Sequence, residues 1–432
     1  MKLKTTVLAA FGVWAVFAPG AARGAGYSIY EQGAAVLGMA GAGTASVGDA
    51  SAVFFNPAAM IRLEGTHLYG GGSLLTPVTS FAGVDPYPGF GVSEEMKRRE
   101  FFPPTVYATH RFGTKWAVGA GLDSPFGLGI EWKNPDQFTG RYIVTRADLM
   151  VLNGTLAGAY AINSMWSVAG GANALFAKVR LENRTLAVVP GGGGSQVDVA
   201  ATKLESDFKP GYGWNAALSF RPDKQWQAGA AYRSKVVVDV DDGRATFRQI
   251  PTGNPSFDAG VAASLPPNQK VATVLRFPAT WSAGVAWLPT ERWTVEADAN
   301  FFEWSVFKDL PIRFKQTPSA SRTIVGDYDD SWQVRVGAEH RLPAFTYRFG
   351  YYYDQGAAPD ESVSPILPDS NRHGATFGVG KALGTNKRIT VDLYDLAIFV
   401  EKRSTEHVER DGFDGEYKTF VNSAGFSVAY GW

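Results

Sequence analysis

Cysteine is absent from all 432 residues, which excludes a disulfide-stapled secreted domain and a thiol-linked lipid anchor. Net charge is absent as well: 41 basic residues balance 41 acidic ones, so the overall field invites no nucleic acid. Beyond the extreme N-terminus, no continuous apolar run approaches the ~20 residues that a spanning helix needs. Glycine and aromatic residues, by contrast, are plentiful, at 49 residues and 13%. A mean hydropathy of -0.10 would suit a soluble protein. A barrel, however, hides its apolar face in every second residue, so the mean discriminates poorly.

At the N-terminus, Lys2 and Lys4 precede an apolar stretch from Thr5 to Ala18, then Pro19-Gly20 and the small-x-small site Ala22-Arg23-Gly24. This reads as a signal peptide over residues 1–24, with cleavage before Ala25. An exported chain without a spanning helix is either released or crosses a membrane as strands. The other terminus favours strands: Phe426, Val428, Tyr430 and Trp432 alternate with Ser427, Ala429 and Gly431, and the apolar side ends on aromatics. Aromatics at that end suit a membrane–water boundary.

The same alternation recurs with charged partners. Trp293, Val295, Ala297, Ala299 and Phe301 interleave with Thr294, Glu296, Asp298 and Asn300; Trp226, Ala228, Ala230 and Tyr232 with Gln227, Gly229, Ala231 and Arg233; Trp332, Val334, Val336 and Ala338 with Gln333, Arg335, Gly337 and Glu339. Tryptophans that open strands predict an interfacial girdle, and the polar partners then face a wet lumen. Six tight turns fall at 111–115, 162–164, 221–225, 288–292, 341–344 and 383–387. Each joins two strands, and a first strand near Thr66–Leu75 plus the terminal one brings the count to about fourteen. Seven longer connections, near 76–103, 125–147, 185–210, 241–270, 314–326, 355–371 and 401–417, are predicted to face outward. The predicted fold is an all-β transmembrane antiparallel barrel over residues 66–432. A soluble propeller or sandwich is the competing architecture.

From Ala25 to about residue 65 the alternation fails. The run Gly33-Ala34-Ala35-Val36-Leu37-Gly38-Met39-Ala40-Gly41-Ala42-Gly43 is small and apolar, which no lipid-facing strand tolerates. Its low charge predicts a plug folded inside the lumen rather than a loose leader.

Three stretches carry a resemblance: Asp49-Ala50-Ser51-Ala52-Val53-Phe54-Phe55-Asn56-Pro57-Ala58; Ser124-Pro125-Phe126-Gly127-Leu128 followed by Gly140-Arg141-Tyr142; and Pro368-Asp369-Ser370-Asn371-Arg372-His373. In order and spacing they resemble the signature stretches of the FadL family of outer-membrane long-chain fatty acid and hydrocarbon transporters. The resemblance implies fourteen strands with an N-terminal hatch, a ligand pocket in the lumen, a hatch that shifts, and sideways release through a gap at an inward kink in the third strand. Phe126-Gly127-Leu128 occupies the matching place, and Gly127 is the kink candidate because glycine suits a broken strand. Asn56-Pro57-Ala58 would lie beside it, Pro57 blocking ladder pairing and Asn56 capping free backbone groups.

A hydrophobic cargo needs an apolar cavity, because a wet pore forfeits ~0.8 kcal/mol per methylene, with a few polar groups to orient a head group. Ala177, Val179 and Leu181 alternate with Lys178, Arg180, Glu182 and Arg184, and the charged set is expected to face the lumen. The resemblance implies a basic residue at the end of this strand, here displaced from Asn183 to Arg184. It implies another after Trp304-Ser305-Val306-Phe307, where the match falls on Pro311 with Arg313 two residues on. A competing expectation is that lumen charges pair with Glu296, Asp298 or Glu339. The five histidines (His67, His110, His340, His373, His407) accompany no nucleophile motif, and no metal-ligand spacing appears. Gly191 to Gly194 is read as an external loop.

These readings predict passive, nucleotide-free uptake of hydrophobic compounds, foremost long-chain fatty acids, through a monomeric outer-membrane barrel of a Gram-negative cell. Its partners are a hydrophobic small molecule and outer-membrane lipid, with no cofactor and no nucleic acid. Monoaromatic or alkane uptake, a general diffusion porin and a barrel hydrolase are the rivals.

Overall fold

Alternation of apolar and polar residues on one ladder forces a sheet to present a dry face and a wet one, and a long antiparallel sheet in lipid must close to leave no free edge. The computed structural model describes residues 26–189, 196–384, 388–405 and 410–432. The predicted signal peptide, the Gly191–Gly194 loop and His407 lie outside them. Among the described residues, fourteen wall strands follow in order. They are β1 (Thr66–Gly83), β2 (Pro104–Phe112), β3 (Trp116–Asp123, resuming as Gly127–Glu131), β4 (Arg146–Ala161), β5 (Trp166–Val188), β6 (Lys209–Phe220) and β7 (Trp226–Arg233). After these come β8 (Thr280–Thr290), β9 (Trp293–Phe302), β10 (Ser331–Arg341), β11 (Thr346–Asp354), β12 (Arg372–Leu383), β13 (Ile389–Val400) and β14 (Gly415–Gly431). Each pairs antiparallel with the next, and β14 pairs back onto β1 from His67↔Gly431 to Gly83↔Gly415. The expected all-β barrel of fourteen strands is therefore the observed one.

Side-chain direction follows the predicted period. Thr294, Glu296, Asp298 and Asn300 of β9 are buried inward, as are Gln333 and Arg335 of β10, while Trp332, Val334 and Val336 stand exposed on the outer wall. Rings gather at two heights. Near the short turns Trp166 stacks on Phe220 at 4.1 Å and Tyr430 on Trp432 at 5.1 Å; farther up, Tyr232 lies 4.9 Å from Trp214 and 4.3 Å from Trp281. Two aromatic levels bracketing an apolar band are what a bilayer selects.

Several connections predicted as loops are instead strand extensions. β1 continues to Gly83 rather than stopping near Leu75. The upper part of β5 pairs with 196–205, which pairs with 236–249, and 236–249 in turn pairs with 269–277. Backbone groups there satisfy one another in a ladder that rises beyond the membrane zone, a cheaper solution than a bare loop.

Residues 26–63 lie inside the barrel as two one-turn helices, Ala34–Leu37 and Ala52–Phe55, and a 3-10 turn, Pro57–Arg62. Their apolar side chains, including Leu37, Val53, Phe55 and Met60, are buried together with Tyr69, Tyr107 and Tyr352 of the wall. Close approach depends on inward-facing glycines. A β-carbon at Gly350 would come within 2.6 Å of the Met39 and Ala40 backbone, and one at Gly337 within 2.5 Å of Met39. Gly350→Val is therefore expected to expel the lead segment while the outer wall still forms. Limited proteolysis should then cut within 26–63, and the heat-dependent gel shift of the folded barrel should persist.

Candidate functional site

The lead segment is tied to nearly every part of the ring by hydrogen bonds between its main chain and wall side chains. Asp298 accepts from the amides of Gly43 (3.0 Å) and Thr44 (2.9 Å). Glu296 accepts from Ala45 (2.6 Å) and Ser46 (3.1 Å), and also from the Ser46 hydroxyl. In turn the Arg335 guanidinium donates to Ala40 O, Thr376 to Leu37 O, Tyr107 to Gln32 O and Ser167 to Ala58 O. The expected mutual pairing of lumen charges holds for Glu339, which with Asp392 flanks Arg348. Glu296 and Asp298 instead bind peptide N–H groups.

At Ser124–Phe126 strand β3 breaks. Its first half pairs with both β2 and β4, and its second half with β4 alone. The break turns inward to meet the lead segment: Ser28 bridges to Phe126, Ile29 N–H donates to Pro125 O (2.8 Å), and Gly127 N–H donates to Tyr27 O (3.0 Å). Gln32 donates to Ser124 O (2.7 Å). Carbonyls and amides that the wall ladder abandons are thus taken up by the segment. Phe126 is buried with its ring 5.1 Å from Phe277 and 6.0 Å from Trp304. Gly127 opens the resumed strand, and a β-carbon there would sit 2.6 Å from the Ile29 Cδ1.

Asn56, Pro57 and Ala58, expected beside the break, lie against β5 and β6. The Asn56 amide donates to Thr44 O (2.7 Å) and Leu218 O (3.0 Å) and accepts from Ala58 N–H (3.1 Å). Asn56 therefore caps free backbone groups, at a different part of the wall.

Between the segment and a cluster of apolar side chains from the long connections, among them Trp132, Phe138 and Phe413, lies a cavity of about 760 Å³. Its walls include Leu75, Phe126, Leu149, Val151, Leu396 and Ile398, and its inner end carries Glu31, Arg335, Asp354 and Arg372. Burial pushes the Glu31 carboxyl above the usual carboxylate range, with its own backbone contacts and the Arg335 charge pulling the other way. At the break the cavity reaches the outer wall, since Phe102 and Met150 line it and are 66% and 56% exposed. A second cavity of about 500 Å³ lies on the short-turn side of the segment, lined by Ala35, Asp49, Arg348, Asp392 and Trp432.

The four predicted ligand cations are not lumen groups. Ala177 and Leu181 are buried among the apolar cluster, so Lys178, Arg180 and Glu182 point outward. Lys178 lies over the Phe208 ring and Arg180 pairs with Glu182. Lys178 and Arg180 reach only the cavity's outer mouth. Arg184 bonds Asp136 (2.6 Å) and is absent from the cavity lining. Arg313 is exposed between buried Ile312 and Phe314. The reason is height: above the membrane zone the outside is aqueous and the inside holds the apolar cavity, so polarity inverts along one strand. The cations that line the inner cavity, Arg335 and Arg372, were both in view, one in an alternating strand and the other in a family-like stretch. Only their meeting across β10 and β12 was hidden. His340 stacks on Trp293, and His373 meets Glu401 and Tyr351.

A closed strand wall, aromatic levels, a lumen-filling lead segment and an apolar cavity that meets the wall at a broken strand define an outer-membrane transport barrel. Residues 15–431 match the family described as Outer membrane protein transport protein (OMPP1/FadL/TodX), and the chain belongs to that family. It is 28% identical over 427 residues to a 47 kDa outer membrane protein of Pasteurella multocida, covering 95% of each chain. It is 22% identical to a long-chain fatty acid transport protein of Escherichia coli, covering 94% of each. Among solved structures it resembles a Pseudomonas aeruginosa FadL homologue (TM-score 0.81, 19% identity, covering 94% of this chain and 100% of that one). It also resembles the P. putida toluene transporter TodX (TM-score 0.73, 18% identity, covering 93% and 99%). The chain is an outer-membrane protein of a family that transports hydrophobic compounds.

Hydrogen bonds to charged groups contribute about 1.5–3 kcal/mol each. Glu296→Gln with Asp298→Asn is accordingly expected to speed amide exchange at Gly43–Ser46 by about tenfold to a hundredfold, measured by hydrogen–deuterium exchange of the detergent-solubilised barrel.

Proposed function

We propose that this chain admits long-chain fatty acids passively: the ligand enters the apolar cavity, residues 25–65 act as a hatch that shifts, and release is sideways at the break in β3. The carrying observation is that one cavity extends from Arg335 and Arg372 at its inner end to exposed Phe102 and Met150 at the wall. An alkyl chain gains ~0.8 kcal/mol per methylene on leaving water for such walls, and a carboxylate finds guanidinium donors at the deep end. In this reading Phe126 and Gly127 form the gate with the hatch edge, Asn56, Pro57 and Ala58 anchor the hatch to β5 and β6, and Lys178 and Arg180 meet the head group at the mouth. The relative from E. coli named for long-chain fatty acid transport supports the ligand class.

Monoaromatic or alkane uptake is a second reading. It is favoured by Arg184 and Arg313 standing away from the cavity, and by the likeness of fold to a toluene transporter. A general diffusion porin is disfavoured by the lead segment, which fills the cross-section that small solutes would use.

The reading is tested by a reversible lock. Ser28 and Phe126 face each other between flanking hydrogen bonds, a pair whose Cα atoms come as close as ~4.5 Å, within disulfide reach. In a chain without other cysteines, Ser28→Cys with Phe126→Cys should abolish oleate uptake by cells when oxidised and recover it with reductant. Equal uptake in both states would count against hatch movement.

A further inference from the structure

The upper edge of the wall gap is built from charge. Residues 93–101 cross above the break in β3: Glu95 pairs with Ser80 and Phe101 with Leu75 on the β1 side, and Lys97 N–H donates to Glu131 O (2.8 Å) on the resumed half of β3. Side chains tie this crosspiece to β3 and β4. Lys97 bonds Glu131 (3.0 Å), Arg99 bonds Asp148 (2.5 Å), and Arg146 reaches both Asp148 (2.6 Å) and Glu131 (3.4 Å). On the neighbouring β5, Arg180 pairs with Glu182. Lys178 lies over the Phe208 ring at 5.9 Å, with no carboxylate in ion-pair reach among the described residues.

Five cations thus share three carboxylates, and two positive charges stand uncompensated. Exposed Arg98 and Glu100 offset one another and leave that surplus unchanged. The height of the cluster follows from β4. Tyr160 packs against Trp116 at 4.6 Å beside a short turn, and the outward side then runs up through Leu156 and Met150 to Asp148 and Arg146. At a rise of ~3.3 Å per residue and a tilt of ~40°, Met150 stands about 25 Å above Tyr160, the full height of the apolar band. Asp148 and Arg146 therefore begin the next layer, where lipid head groups lie. Lys178 joins them there, two residues beyond exposed Phe176 on β5.

We propose that this cluster docks a phosphorylated glycolipid of the outer leaflet, with a lipid phosphate held by Lys97, Arg99, Arg146 and Lys178. A phosphate monoester carries about two negative charges at neutral pH, which matches the surplus. Guanidinium forks suit its oxygens, and basic clusters at a membrane surface recognise anionic head groups. From that seat the acyl chains descend over Phe102 and Met150, the exposed side chains at the edge of the gap. The docked lipid then covers the opening from outside, while the lead segment closes it from within. A zwitterionic phospholipid brings no net charge to balance the cluster. The surface belongs to the outer face of the barrel and serves whatever cargo the cavity takes.

The test uses the full chain in detergent, with binding read by native mass spectrometry. Bisphosphorylated lipid A should bind at least about tenfold more tightly than its dephosphorylated form or phosphatidylglycerol, and an equal concentration of inorganic phosphate should not displace it. Lys97→Gln with Lys178→Gln should weaken lipid A about tenfold while the heat-dependent gel shift persists, and Lys402→Gln, on the connection between β13 and β14, should bind as the unaltered chain does. In Phe102→Cys, bound lipid A should slow reaction with a soluble maleimide about tenfold. Equal affinity for the dephosphorylated lipid, or unchanged affinity in the double variant, overturns the docking site. Displacement by inorganic phosphate reduces it to an adventitious anion site, and equal affinity for phosphatidylglycerol overturns the assignment to a glycolipid. Unslowed labelling at position 102 overturns the cover over the gap.

Discussion

A chain that crosses hydrocarbon as strands has to satisfy every backbone N–H and C=O internally. In this barrel the requirement is met by ladder pairing all the way round, sealed where β14 meets β1. It is met differently at one place, Ser124–Phe126, where the wall gives up its ladder and the lead segment supplies the partners through Tyr27, Ile29 and Gln32. The opening and the part that occupies it are therefore not independent features. The same hydrogen bonds that let β3 break hold the segment against the break, so moving one exposes the other.

The lumen obeys a second constraint, that polar groups removed from water must find partners. Glu296 and Asp298 would be costly facing an empty apolar space. Facing the amides at 43–46 they are useful, since each carboxylate there gains two or more N–H donors. Arg348 between Glu339 and Asp392 solves the same problem with side chains alone. Around these contacts the wall is trimmed to glycine where the segment comes closest, so packing and polarity are fitted to one occupant.

Much of this was legible in the sequence. The alternation at 293–301 and 332–338, the tight turns and the aromatic terminus fix strand number, closure and side-chain direction within the membrane zone. The small-residue run at 33–43 marked the segment that is not wall. What misled was the assumption that polar means inward along the whole strand. At Ala177–Leu181 the alternation gives the period but not the side, because the strand has already left the bilayer and the sign of the pattern has reversed. Arg335 and Arg372 were hidden for another reason. Both are visible as residues, but their meeting at one cavity is a property of the closed ring, which no local window spans.

The separations within these anchoring bonds have a bearing on assembly. Gly43 is bound by a residue 255 positions later, Ala40 by one 295 later and Gly26 by one 346 later. Tyr107, Ser124 and Ser167 of the early strands can hold the lead segment first, but its full set of anchors is complete only once β12 has been made. Biogenesis is then ordered by topology, with the stopper seated late in a cylinder that is already almost complete.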